Sequence, residues 1–449
     1  MKSIFIRLFL LGIFIGVLIS VIAYARGYRL NVNKKSITPT GILVASSFPD
    51  GAKIYVNGKL KGATNTNITL VPDNYDVEIK KDGYRPWRKS INVKGEIVIK
   101  TDSLLFPQNP SLSPLTSLGV INAKYSPITN RIIFVSNSPD AEKDGIYLLD
   151  NSRRALSLFN PLRLVVLKSV LPEDIDYAST QFEFSPDGKQ ILMNVCKAKV
   201  VVDPLITPSP TPTPTSTVPP VNCDLPLYSF LIAADNEKQQ PLNITRSETA
   251  IRNAWKKEED KNILKIIETF KDPIPQMATD SVRILSFSPD DSKILYKATK
   301  DVTIPLIINP PLIGANQGKE TRTLKKDRIY VYDKKEDKNY EIPQEVQTLS
   351  PTPSPVTKFG QIGEPTLDVS SLDTFQNTII WYPDSRHLII NESKRVSIID
   401  YDGNTRQTVY SGPFDKNFLG VSSEGNLLIL ANLNPGENQY PDVYTVGIR

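Results

Sequence analysis

One ten-residue register recurs five times along the chain, and it constrains the fold more than any other feature. It reads YSPITNRIIF from Tyr125, FSPDGKQILM from Phe184, FSPDDSKILY from Phe287, WYPDSRHLII from Trp381 and VSSEGNLLIL from Val421. Each copy opens on an apolar residue, passes through a turn and enters an apolar strand at its seventh or eighth position. A second strand follows every copy: GIYLLD from Gly145, LYSFLIAAD from Leu227, RIYVYD from Arg328, VSIIDYD from Val396 and VYTVGI from Val443. A sheet built from such a unit cannot bury both of its faces alone and needs neighbours of the same kind. The pattern predicts a mainly β chain in which residues 107–449 form an irregular β-propeller of about five blades, with inserted loops and one helix.

The copies FSPDGKQIL and FSPDDSKIL resemble the WD40-like repeat of TolB-type β-propellers. Tyr125 and Trp381 lead fair copies, while the last departs, with Ser423 and Glu424 where the pattern has Pro-Asp. Phe287 stands 103 residues after Phe184, so the insertions are large. Asp187, Asp290 and Asp384 fall in the turns, where Asp caps its own turn, and no metal site is read from them. The last repeat ends after three strands near residues 418–421, 427–431 and 443–448. A strand from residues 107–122 is expected beside the last of these to remove the open edge.

Residues 8–25 read LFLLGIFIGVLISVIAYA, eighteen residues without a charge between Arg7 and Arg26. As a helix they would span roughly 27 Å, about the hydrocarbon thickness of a bilayer. Ala23-Tyr24-Ala25 also fits a cleavage site, so a removable signal peptide competes with an uncleaved anchor. The length of the run favours a transmembrane signal-anchor within residues 1–30. Flanking charge does not set the orientation, but long domains translocate largely regardless of it, so the N-terminus is expected in the cytoplasm and the bulk of the chain outside the cell membrane.

Residues 38–106 alternate in short strands, with Asn57-Gly58 as a strong hairpin signal and Asp82-Gly83 and Lys94-Gly95 marking further turns. They predict a small antiparallel β domain. Pro49-Asp50-Gly51-Ala52, followed by KIYVNGK from Lys53 and KDGYRPW from Lys81, resembles the PEGA domain, with Asp for Glu in the four-residue motif. The resemblance implies a β-sandwich-like module of envelope proteins without known catalysis. Tyr84 and Trp87 read as a packed aromatic corner. Residues 1–103 hold sixteen basic against seven acidic residues, which would suit anionic lipids or wall polymers and equally a plain solvated face on a lysine-rich strand domain.

Three insertions interrupt the repeats. Residues 204–220 and 343–360 are rich in Pro and Thr or Ser and should be extended tethers. Residues 247–271 break the β pattern: Ile251, Trp255, Ile263, Ile266, Ile267 and Phe270 are spaced as one face of a helix. With residues 197–224 and 300–327, the long insertions all follow second or fourth strands and are expected on one face. Ile251, Trp255 and Phe270 are the expected partner-binding residues there. Cys196 ends one strand and Cys223 precedes the returning strand of the same hairpin, which makes them a disulfide candidate, with two unrelated thiols as the alternative.

His387 is the only histidine, so a Ser-His-Asp triad, a Cys-His pair or a zinc site would have to pass through it. It stands at the seventh register position, a variable polar site. No phosphate loop, nucleophile elbow or C-x-x-C motif occurs. The net charge of +5 makes no case for a nucleic-acid partner. No catalytic residue, metal or cofactor is assigned, and an enzyme is not expected. The expected function is a membrane-anchored binding or scaffold protein of the cell envelope, with a protein or cell-wall glycan partner. The alternatives are a carboxylate-based carbohydrate- or peptide-processing enzyme or sensor, and a structural cell-surface spacer.

Overall fold

The computed structural model describes residues 2–25, 27–31, 36–152, 161–197, 228–343, 379–392, 394–436 and 439–449. Helix α1 (Lys2–Ala25) contains the run Ile6–Ala25, long and apolar enough to cross a membrane, and it buries none of that run against the rest of the chain. A two-stranded ladder of Tyr28–Asn31 with Ser36–Pro39 follows it.

The small domain has two sheets. One orders Thr66–Leu70, Gly41–Phe48 and Val98–Leu104; the other orders Lys59–Ala63, Lys53–Val56, Asp73–Lys80 and Trp87–Val93. They enclose a common core that includes Leu43, Ile54, Val77, Ile79, Trp87 and Ile91. The all-antiparallel expectation is corrected at one place: Gly41–Phe48 and Val98–Leu104 run parallel, with Ile42 opposite Val98. The chain leaves the first sheet at Phe48 and returns to it twice, antiparallel at Thr66–Leu70 and, once the second sheet is complete, parallel at Val98–Leu104. Asn57 and Gly58 both take positive φ (48° and 75°), the backbone of the tight turn that this dipeptide favours.

Five four-stranded antiparallel sheets follow, each joined in chain order except the last. Sheet one is Val120–Ser126, Arg131–Ser136, Gly145–Asp150 and Leu162–Leu167; sheet two is Ile175–Phe184, Gln190–Lys197, Tyr228–Ala233 and Leu242–Asn243. Sheet three is Val282–Phe287, Lys293–Ala298, Ile329–Asp333 and Lys338–Glu341; sheet four is Ile379–Trp381, His387–Asn391, Val396–Asp400 and Gln407–Tyr410. Sheet five is Leu419–Val421, Leu427–Ala431 and Asp442–Gly447, completed by Ser111–Pro114 from the start of the region. Ser111 lies opposite Gly447 and Pro114 opposite Tyr444, so the edge left by the last strand is covered as expected. Thr116 fastens this closure: its hydroxyl donates to Asp442 (2.8 Å) and accepts from the Val443 N–H (3.0 Å).

The register explains why the hairpins form. In copies two to five the fifth residue takes positive φ: Gly188 (66°), Asp291 (53°), Ser385 (60°) and Gly425 (87°). In the first copy Asn130 does so one position later (56°). The side chain at the fourth position ties down several of these turns. Asp187 accepts from Ser185 and from the Lys189 N–H, Asp290 from Ser288 and Ser292, and Asp384 from the Arg386 and His387 N–H groups.

Apolar residues of consecutive sheets merge into shared cores. Sheets one and two join around Ile133, Val166 and Met193, three and four around Leu295, Val331 and Leu388, four and five around Ile389, Ile398 and Leu427, and five and one around Leu428, Val443 and Phe134. Between sheets two and three the helical insertion takes that place. Helix α2 (Glu248–Ile267) lays Trp255 on Leu192 and Ile244 of sheet two. Its far end, with Phe270 and the start of α3 (Ile274–Asp280), packs on Ile294, Tyr296 and Tyr332 of sheet three.

This corrects the expected binding face. Trp255 is buried with Ile251 half-buried beside it on sheet two, and Phe270 is buried against sheet three, so the two aromatic residues are taken up inside the chain and form no exposed face. The apolar stripe is a helix face, and burial inside the chain satisfies it. Residues 257–262 form its exposed side.

Candidate functional site

The seventh register position faces a defined partner on the next strand. Arg131 lies opposite Asp150, Gln190 opposite Ala233, Lys293 opposite Asp333, His387 opposite Asp400 and Leu427 opposite Val446. Wherever the first is basic, the second is Asp. The pairs close at 3.2 Å (Arg131–Asp150), 3.5 Å (Lys293–Asp333) and 3.2 Å (His387–Asp400). His387 also meets Asp384 through Nδ1 at 2.6 Å and is boxed edge-on by Phe106 and Tyr382. Burial opposes its charged form, but the hydrogen bonds to Asp384 and Asp400 outweigh that and hold its pKa up to about 10. A histidine so placed keeps its proton near neutral pH and serves as a fixed cation. It is a poor general base.

Phe106 brings the small domain onto this end of sheet four, and a polar junction surrounds it. Arg386, in the turn before His387, pairs with Asp102 of the small domain (2.7 Å). Lys89 reaches Asp402, in the turn between the third and fourth strands, at 2.6 Å; the Asp402 side chain has no exposed surface. Burial pushes Asp402 up, but Lys89 and the Asn316 amide outweigh it and hold its carboxyl below the usual range. Asn316 also donates to the Tyr401 hydroxyl (3.0 Å), and its own N–H donates to Glu336 (2.9 Å), which burial pushes above the usual range. Gln317 completes the contact by bonding both backbone polar groups of Asn92, at 2.6 and 2.8 Å.

Asn316 and Gln317 belong to the insertion of residues 300–327, which does not stay on the face where it begins. Val302–Thr303 and Thr323–Leu324 form a short ladder, and the Thr321 N–H bonds the Asn339 carbonyl (2.8 Å) on the outer strand of sheet three. Ile307 and Ile308 donate to Asp337 in the turn at the opposite end (2.7 and 2.8 Å). Unpaired backbone groups along an outer strand and a buried carboxylate in a turn draw the loop across the sheet edge. The two insertions that are described, residues 246–280 and 300–327, therefore do not gather on one face. Residues 198–227 and 344–378, which include both Pro-rich tethers, lie outside the described residues.

The junction's acids are held by cations, amides or backbone N–H groups, an arrangement that locks parts together. Pro49, Asp50, Gly51 and Ala52 also serve structure. Gly51 takes a positive φ (71°), Ala52 is buried with its N–H on the Thr64 hydroxyl, and the Asp50 carbonyl receives Lys81. Trp87 is buried and Tyr84 packs beside it in the same core, as an aromatic corner does. Cys196 is disulfide-bonded, and Cys223, the other cysteine of the chain, lies outside the described residues.

Sequence reasoning missed Lys89, Asp402, Asn316 and the paired nature of position seven. The last had a signal: GIYLLD, RIYVYD and VSIID end in Asp wherever the seventh register residue is basic. Lys89 and Asn316 had none, because nothing local marks a strand and a loop more than two hundred residues apart as neighbours.

Residues 40–109 match the PEGA domain family. No curated protein matches the chain. Among solved structures, the chain is similar to a structural genomics protein of unknown function from Bacteroides thetaiotaomicron, at 8% identity and a TM-score of 0.24, covering 89% of this chain and 91% of the other. It is also similar to a eukaryotic initiation factor at 10% identity and a TM-score of 0.16, covering 90% and 89%. Scores this low carry no argument about fold or function.

Proposed function

We propose that this chain is a single-pass, membrane-anchored binding or scaffold protein of the cell envelope, with its N-terminus in the cytoplasm and all that follows α1 outside. Its five sheets form a five-bladed TolB-like propeller, which presents a surface to an envelope protein or a cell-wall glycan. The carrying observation is the join between anchor and PEGA-matching domain. Gly27, two residues beyond α1, accepts hydrogen bonds from both the N–H (3.0 Å) and the hydroxyl (2.6 Å) of Thr40, at the start of the first PEGA strand. An exposed apolar helix is thereby fixed directly to a domain type of envelope proteins. The shared cores between consecutive sheets and the strand that covers the last edge support the propeller. Binding is favoured over catalysis because Asp102, Asp384, Asp400 and Asp402 are each paired with a cation and His387 is itself a fixed cation.

Topology is tested by single cysteines in intact cells. Ile128→Cys should react with an impermeant maleimide before lysis, and Ser3→Cys only after it; the reverse pattern overturns the orientation. Release of the chain by alkaline carbonate would show a cleaved leader and overturn the anchor. Sedimentation of the detergent-purified protein with isolated cell wall, before and after protease treatment of that wall, separates a glycan from a protein partner.

A further inference from the structure

The insertion that joins the repeats to the small domain carries a surface that the junction does not use. Residues 305–313 read PLIINPPLI, and Leu306, Leu312 and Ile313 are exposed, Ile313 at 82%. Immediately after them the chain meets the small domain: a Cβ on Gly314 would lie 3.5 Å from the Val98 carbonyl oxygen. Val98 and its register partner Ile42 are themselves exposed, side by side on the outer face of the three-stranded sheet. One apolar patch therefore spans two segments that lie more than two hundred residues apart.

Its position shows what covers it. Val98 directly follows Ile97, whose carbonyl accepts from the Ile42 N–H (2.9 Å), while the Glu96 N–H bonds the Thr40 carbonyl (3.0 Å). Thr40 is the residue that holds Gly27 at the end of α1. The patch thus lies at the end of the domain where the apolar helix emerges. Basic residues are concentrated in the same part of the chain: Arg26, Arg29, Lys34, Lys35, Lys94 and Lys100. An apolar patch beside an anchor exit, on a stretch of sequence rich in basic residues, has the composition of a surface that enters a bilayer interface bearing anionic headgroups.

We propose that Ile313, Leu312, Val98 and Ile42 form a second membrane contact, which dips into the anionic lipid surface around the anchor and fixes the tilt of the extracytoplasmic part. The proposal rests on the membrane-anchored reading, and its test separates the two. Trp87, Trp255 and Trp381 are all buried, so an added tryptophan is the exposed reporter. The full chain is reconstituted in phosphatidylglycerol vesicles with brominated acyl chains, carrying Ile313→Trp, Ile13→Trp in α1, or Leu242→Trp on the outer strand of sheet two. Ile313→Trp should emit at shorter wavelength than Leu242→Trp and lose at least half of its added emission to bromine. That loss should fall at least two-fold when phosphatidylcholine replaces phosphatidylglycerol. If Ile13→Trp is quenched and Ile313→Trp is not, the second contact is wrong and the anchor stands; the patch then serves a protein. If neither is quenched, the anchor reading falls and takes the inference with it. Equal quenching of Ile313→Trp and Leu242→Trp, or no loss of quenching in phosphatidylcholine, overturns it as well.

Discussion

Sheets four and five carry the same register and turn, yet they join their second and third strands by opposite means. Sheet four sets buried His387 between Asp384 and Asp400; sheet five sets Leu427 against Val446, both fully buried. The position thus accepts either a charged pair or an apolar one. What distinguishes sheet four is its neighbour. The small domain meets it through Phe106, Arg386 and Asp402, so polar groups at that end find partners across the junction. The charged pair also leaves sheet four vulnerable in ways that sheet five is not.

The largest effect should come from breaking the charged pair on one side only. His387→Leu leaves Asp400 facing an apolar side chain and should cost about 3–5 kcal/mol of stability, as for other broken buried pairs. His387→Leu with Asp400→Val, which copies sheet five, should recover most of that loss in a thermal melt. A double variant no better than the single one would show that the two sheets are not interchangeable.

Sheet two offers a third arrangement, with neutral Gln190 and Ala233 at the same positions and a disulfide at Cys196 further along. For the twenty-eight residues from Cys196 to Cys223, chain entropy gives about 3–4 kcal/mol. Reduction should lower the melting temperature of the native chain and leave a Cys196→Ser/Cys223→Ser variant unchanged.

Lys89→Met tests the domain junction. It leaves Asp402 buried without its cation, but Lys89 is partly exposed (19%), so the loss should be about 2 kcal/mol, below the range for fully buried pairs. Calorimetry should show the small domain separating from the main transition, and limited proteolysis should cut sooner near residue 108.

The protonation of His387 predicts a pH dependence that sheet five cannot have. Its folded pKa of about 10 lies above the ordinary 6.5, so the folded chain holds a proton that the unfolded chain releases between those values. The stabilisation is complete below about pH 6.5 and is lost as pH rises towards 10. Denaturant midpoints measured across that window should fall in the native chain and flatten in the His387→Leu/Asp400→Val variant. The smallest effect belongs to the closure of sheet five: Thr116→Val removes the bonds to Asp442 and Val443 and should cost about 1 kcal/mol.

Much of this architecture was legible beforehand, because its causes are local. A turn that needs a left-handed residue, followed by an apolar strand, writes itself as SPDG and its relatives. A short continuous apolar run between turns does the same for Gly145–Asp150 and Ile329–Asp333, and helical spacing for Glu248–Ile267. The uncovered edge after three strands, with Ser111–Pro114 free to fill it, followed from the same counting. Periodicity reports that a face is apolar but not what covers it. Trp255, read as an exposed anchor, is buried on sheet two because tertiary packing lays its helix there. The junction is further still from local pattern. Lys89 and Asp402 are separated by 313 positions, and only the fold brings that amine to that carboxylate. Sequence by itself determined the repeats, the turns, the helices and the apolar segment, since each answers to backbone geometry and hydrophobic period within a few residues. Tertiary structure alone decided which apolar faces are buried, which way the insertion of residues 300–327 crosses its sheet and where the small domain sits, because burial and charge pairing depend on neighbours that are remote in the chain.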